Sequence, residues 1–487
     1  MACRAARLAL SFVVLGACGR GPAAPDSESE TETESESESE SEPETESESE
    51  SEPETESESE SEPETESESE PETESESEPE TETESETEPA TPDPACTHDG
   101  CLRAVTPLGD YAKTTLEAVL APGVHIDNGY SVFTIAFWSA GAEIRATVAI
   151  PYGVPAPVNG FHIVANHHGT TGLDDPCTIV DTLAGAGLAG LFGARGMIGV
   201  APEYPGIGSP GVHPYLVADA EARLAFDALR ATRAFATSRA RSPASGSAAD
   251  PRRAFARSAL PLSGRYALVG LSQGGHVTLA AAARHRQLAP ELDVRAFAVA
   301  APATVWEEHW RAGLAFDGPH LVYDAMLVHA WAHHYGYAGP SLWEPALAPR
   351  IDALMRDHCA WFPRGDPALA TLLPTTASAL FSADFLAAFQ TGTWGPTFAL
   401  FGAAFAANRV GPYDQTAPLK IYQGDADTSV PAYATTAVVT ALRAGGVVVD
   451  YELVPGAGHL DTAFGFVASL EARTDASIAW VRARLDE

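Results

Sequence analysis

The sequence predicts an α/β fold: a mostly parallel sheet of eight strands, helices on both faces, and a helical cap inserted late in the chain. Three observations carry this. From residue 131 onward, short β-branched or apolar runs alternate with Ala-rich helical stretches. The first two runs are joined by only Ser139-Ala140-Gly141, as in an antiparallel hairpin, whereas later runs are separated by helix-length segments that permit parallel pairing. Residues 304–412 break the alternation and hold six of the eight Trp residues.

The chain starts with an address. Arg4 and Arg7 precede the apolar run Leu8–Gly16, which is too short to span a bilayer as a helix. Leu15-Gly16-Ala17-Cys18 resembles the lipobox of bacterial lipoproteins. That resemblance implies loss of residues 1–17 and diacylation of Cys18. An ordinary signal peptide cleaved after Ala17 is the alternative. Gly19 stands where an Asp would signal inner-membrane retention in enteric bacteria, which favours the outer membrane or cell surface.

Residues 18–94 read as a disordered tether. Between Asp26 and Pro94 lie 31 Glu, 2 Asp and no Lys or Arg, a charge of −33, while the whole chain carries −38. Ser-Glu and Pro-Glu-Thr-Glu units offer no apolar surface to offset chain entropy. A flexible coil of this length spans ~45 Å, and like charges extend it further. Calcium binding by these carboxylates is the lesser reading; a solvated charge run is the default. From Ala95 on, 34 acids face 26 bases over 393 residues, so the body is only mildly acidic, at −8. With no basic cluster, nucleic-acid binding is not expected.

The expected strands are Val132–Trp138, Glu143–Ile150, Phe161–Asn166, Met197–Ala201, Tyr266–Gly270, Val294–Ala300, Leu419–Gln423 and Val447–Val454. Helices are expected over Ile179–Leu191, Tyr215–Ala236, Gly274–Arg286, Ala432–Ala444 and Asp475–Leu485. Residues 238–258, rich in Ser and Arg, read as a polar surface loop. The insertion at about 304–412 should cover the C-terminal edge of the sheet, its aromatics packing a core of their own or lining an apolar pocket. Cys96, Cys101, Cys177 and Cys359 allow three pairings. The five-residue spacing of the first two suggests a local bridge, leaving Cys177 with Cys359.

Gly270-Leu271-Ser272-Gln273-Gly274 matches G-x-S-x-G between a strand signal and an Ala-rich helix signal. In that setting a strained turn exposes the serine hydroxyl, and the helix N-terminus offers N–H groups to a developing oxyanion. A serine needs a base, and the base an orienting carboxylate. Asp427 follows the Leu419–Gln423 strand, with Asp425 as the second candidate; His459 follows the last strand in a Gly-rich loop. The N–H of Gln273 and a donor from Gly169 or Thr170 would form the oxyanion hole. His167 with His168 have no third metal ligand at recognisable spacing, and His329 with His333, four apart, lack the Glu of a metalloprotease helix, so both pairs are read as structural, with a metal as the lesser reading. No metal or cofactor is expected.

These residues resemble the secretory lipase family of α/β-hydrolases, which includes fungal lipase A enzymes and bacterial relatives. The resemblance rests on His168-Gly169-Thr170-Thr171-Gly172, Ala201-Pro202-Glu203-Tyr204-Pro205-Gly206, His213-Pro214-Tyr215-Leu216, Ser272-Gln273-Gly274-Gly275-His276 and Gly424-Asp425-Ala426-Asp427. It implies an α/β-hydrolase fold and an esterase or lipase using Ser272, Asp427 and His459 on a small-molecule or lipid ester. Asn166-His167-His168 departs from the Trp-Ala-His more frequent in bacterial relatives, and the cap shows little similarity. The rival readings are a serine peptidase or acyltransferase on the same scaffold, or a non-catalytic binding lipoprotein.

Overall fold

The computed structural model describes residues 92–120, 124–238, 259–360, 367–462 and 471–487. The leader, Cys18, all but the end of the tether and nearly all of the polar loop lie outside them. Among the described residues one sheet has nine strands in the order β1-β2-β3-β5-β4-β6-β7-β8-β9. They are β1 Leu102–Tyr111, β2 Gly129–Ser139, β3 Ala142–Tyr152, β4 Phe161–His167, β5 Ile198–Pro202, β6 Leu262–Leu271, β7 Asp293–Ala300, β8 Leu419–Gly424 and β9 Val449–Val454.

The eight expected strands are present, and β1 is a correction. Its sequence contains Pro107 and Gly109 and lacks an apolar period, so it does not read as a strand. At the sheet's edge those residues are tolerated, because only one side of the strand is paired and a register shift interrupts that pairing between them. Strands β1 to β3 pair antiparallel, as do β3 and β5, while β4 through β9 run parallel.

Helices α1 Lys113–Val119, α2 Leu183–Gly193, α3 Ala218–Thr237 and α4 Gln273–Leu288 precede the insertion. The insertion, between β7 and β8, carries α5 Glu307–Gly313, α6 Leu321–His334, α7 Ile351–Asp357, α8 Leu369–Leu372, α9 Ala377–Leu380, α10 Ala383–Thr391 and α11 Gly395–Asn408. Helices α12 Ala432–Ala444 and α13 Glu471–Asp486 follow. Alternation along β6 sends Leu268 into the layer packed by α3, α4 and α12, and Val269 into the layer packed by α2 and α13. Cover on both faces explains why every residue of β4 is buried.

The inserted helices bury a second core around Trp331, Phe381, Phe385, Phe389 and Phe405, which continues into the body at Tyr215–Val217. The two bodies share a helix cap. Val217 offers α3 no capping side chain, and Asn408 of α11 supplies it, accepting the Ala218 N–H at 2.9 Å. Cys96 is bonded to Cys101, and Cys177 to Cys359 just beyond α7, across 182 residues. No helix among the described residues is long and apolar enough to cross a membrane.

Candidate active site

The carboxyl ends of β4, β6, β8 and β9 lead into the segments that carry the candidate residues, the edge at which open α/β sheets place their ligands. Ser272 sits between the last residue of β6 and the first of α4, with φ 59° and ψ −116°. A non-glycine residue there stores about 1–3 kcal/mol of strain. Its surroundings enforce the geometry: the Ser272 N–H donates to Ala300 O at 3.0 Å, and its carbonyl accepts from Ala303 N–H at 2.9 Å. A Cβ on Gly270 would strike the Gly274 carbonyl, and one on Gly274 would strike that of His167, so both motif glycines are required by close approach.

Asp427, buried at the end of β8, is saturated. One oxygen accepts the N–H groups of Ser429 and Val430, both at 2.8 Å. The other accepts His459 Nδ1 at 2.8 Å and Gln423 Nε2 at 3.1 Å. Asp425 instead accepts the Gly456 N–H at 2.6 Å and so fastens the loop that carries His459. With Nδ1 turned to Asp427, the second ring nitrogen of His459 is the one left for a proton transfer. Among the described residues no hydrogen bond joins Ser272 to His459. Ser272 and the Thr428–Pro431 segment after Asp427 line one cavity of about 500 Å³.

On the other side of Ser272 lies the segment after β4. A Cβ at Gly169 would rest 3.6 Å from the Ser272 Cβ, ordinary contact. The backbone N–H groups of Gly169, Thr170 and Gln273 have no acceptor among the described residues. The Thr170 hydroxyl shares a hydrogen bond with the Tyr215 hydroxyl at 2.9 Å.

A buried polar layer fixes both donors. His168 faces Glu203 at 2.9 Å, and Glu203 also accepts the Thr178 hydroxyl at 2.7 Å and the Ile179 N–H at 2.8 Å. Glu221, fully buried on α3, accepts the Leu216 N–H at 3.1 Å, Gln273 Nε2 at 2.9 Å and His276 Nδ1 at 2.6 Å. His213 donates from Nδ1 to Pro205 O at 3.0 Å, so its other nitrogen accepts from Gln273 Nε2 at 2.6 Å. Burial pushes the His213 imidazole down to about 3, which agrees with the neutral ring those bonds require. The side chain of Gln273 is thereby locked, and with it the first turn of α4.

Sequence reasoning did not single out Glu221. Its signal was present: Glu221 shares the stripe of Leu224, Ala225 and Ala228, an acid on an apolar helix face. His167, read as structural, turns Nδ1 to Val269 O at 3.0 Å beneath the elbow. The cavity is walled by Trp310, Phe316, Tyr323 and Tyr433, whereas Trp331 and Trp343 pack the inserted helices. Asp324 also faces the cavity, where burial holds its carboxyl well above the usual range, and the exposed Asp317 lines it as well.

No family model matches the sequence, and no curated protein sequence is similar to it. Solved structures are. A Legionella pneumophila protein assigned provisionally as a hydrolase superposes with TM-score 0.62 at 21% identity, covering 79% of this chain and 98% of that one. The rice cell wall degrading esterase LipA of Xanthomonas oryzae gives 0.59 at 18% identity, over 80% and 97%. Candida antarctica lipase A in its closed state gives 0.53 at 15% identity, over 82% and 87%. At these identities the likeness is one of architecture, and it agrees with the nine-stranded sheet and its elbow: the chain has the α/β-hydrolase fold.

Proposed function

We propose that the protein is a serine carboxylic ester hydrolase with Ser272 as nucleophile, His459 as base and Asp427 as its orienting acid. The observation that carries this is the strained Ser272 elbow beside the unengaged backbone N–H groups of Gly169, Thr170 and Gln273, with a hydrogen-bonded Asp427–His459 pair on the neighbouring strand ends. His459 takes the Ser272 proton as the oxygen attacks the ester carbonyl. Catalytic hydrogen bonds of this kind tighten when substrate fills the site. The oxyanion is held by the N–H of Gln273 and by that of Gly169 or Thr170. His459 then protonates the leaving alcohol, and water, activated by the same histidine, releases the acid.

The aromatic-walled cavity suits a small or lipid ester. Two disulfides support an extracytoplasmic setting. In this reading lipid on Cys18 anchors the chain to a bacterial membrane, at the outer membrane or cell surface, and the acidic segment holds the enzyme away from it.

The test is hydrolysis of p-nitrophenyl esters from acetate to palmitate by the protein and by Ser272→Ala. Turnover that drops by about 10³-fold or more in the variant is expected. The chain-length optimum separates esterase from lipase. Equal turnover in both proteins, or none with any ester, would overturn the reading.

A further inference from the structure

His329 and His333 stand one turn apart on α6, and the fold adds what their spacing does not reveal. Helix α7 brings Asp352 to them, with Asp352 Oδ1 3.8 Å from His329 Nδ1. One donor atom from each of the three residues lies within 4.8 Å of the others. The two imidazoles share a helix face, as residues four apart do, and their ring centres are 4.5 Å apart. The three line a cavity of about 210 Å³, separate from that of Ser272, whose wall includes Asp174 and Arg356. Asp174 uses one oxygen to accept the Asp175 N–H, which leaves the other. Arg356 is engaged with Asp357.

We infer that His329, His333 and Asp352 form a binding site for a Zn²⁺-class divalent transition ion, with Asp174 or water completing the coordination. Two imidazoles and a carboxylate select borderline transition ions over Ca²⁺ or Mg²⁺. Zinc ligands sit about 2.0–2.2 Å from the ion, so the donors must close toward one another. His333 and Asp352 are exposed and free to do so, while His329 is buried and fixed.

The site's position gives it a task. Asp174 lies three residues before Cys177, and Asp352 seven before Cys359, so the ion would clamp the same two segments that the long disulfide joins. One of those segments continues from the Gly169–Thr170 donors. The ion would therefore stiffen the seat of the inserted helices without touching Ser272, and the inference holds whether or not the ester reading does.

The experiment is Co²⁺ absorption and Zn²⁺-dependent melting of the full chain, against His333→Ala and Asp352→Asn. These exposed positions leave the fold in place, which the melt without metal checks. The tether's carboxylates are common to all three proteins and give only weak oxygen-ligand bands. Expected are intense visible Co²⁺ bands, a higher Tm with Zn²⁺, and reversal by EDTA. In His333→Ala binding should weaken by at least the roughly 10–100-fold that loss of an outer-shell partner alone costs. Spectra and Tm responses identical in wild type and both variants, or no response in the wild type, would overturn it.

Discussion

Asp427 shows how little freedom the site leaves its carboxylate: four donors converge on two oxygens. Asp427→Asn keeps the shape but sets an amide N–H against His459 or against the Ser429 and Val430 N–H groups. The histidine loses its tautomer, and ester turnover should fall by about 10⁴-fold with the melting temperature little changed; kcat and a thermal melt on one sample check both. His213 makes a prediction of a different kind. Its folded value of about 3 lies below the ordinary 6.5, so the folded state favours the neutral ring. That contribution is whole above pH 6.5 and drains as pH falls toward 3, at about 1.4 kcal/mol per pH unit. His213→Asn should therefore flatten the fall of unfolding free energy between pH 6 and 4 by that slope. Urea melts at three pH values measure it; parallel slopes would contradict it. At this scale the elbow at Ser272 and the pairing of Asp427 with His459 were legible because each residue follows a strand in a fixed chain order. The Glu221 network was not, because its members come from separate segments that only the tertiary fold joins.

At the scale of elements, the parallel strands were legible because burial on both faces makes them continuous apolar runs bounded by glycine or proline. β1 escaped because an edge strand accepts Pro107 and is mostly exposed, so it needs no apolar alternation. The insertion was visible as a break in rhythm and a concentration of tryptophan. Which of its aromatics would wall a cavity was not, since Trp310 and Trp331 look alike in sequence and differ only in the face their helices present. The two disulfides differ sharply in what they constrain. By chain entropy, closing a loop of 182 residues is worth about 5 kcal/mol, and one of five residues about 2. Replacing Cys177 and Cys359 by Ser should lower the unfolding free energy by roughly 3 kcal/mol more than replacing Cys96 and Cys101. Guanidinium melts of the two double variants decide this, and equal losses would show that the long bridge constrains little.

At the scale of the molecule, the charge is partitioned: −33 lies between Asp26 and Pro94, against −8 in all that follows. The low overall pI therefore says nothing about the pocket, whose walls include Trp310, Phe316, Tyr323 and Tyr433. Within the described body, strand order brings four sequence-distant segments to one sheet edge, and the elbow is the point where strain, backbone donors and cavity meet. That Ser272 is the nucleophile is the claim on which the rest depends. Mass spectrometry after treatment with a fluorophosphonate tests it most directly. One adduct is expected, on the peptide containing Ser272, absent in Ser272→Ala and formed far more slowly in Asp427→Asn. An adduct on another serine, or no adduct on the folded protein, would contradict it.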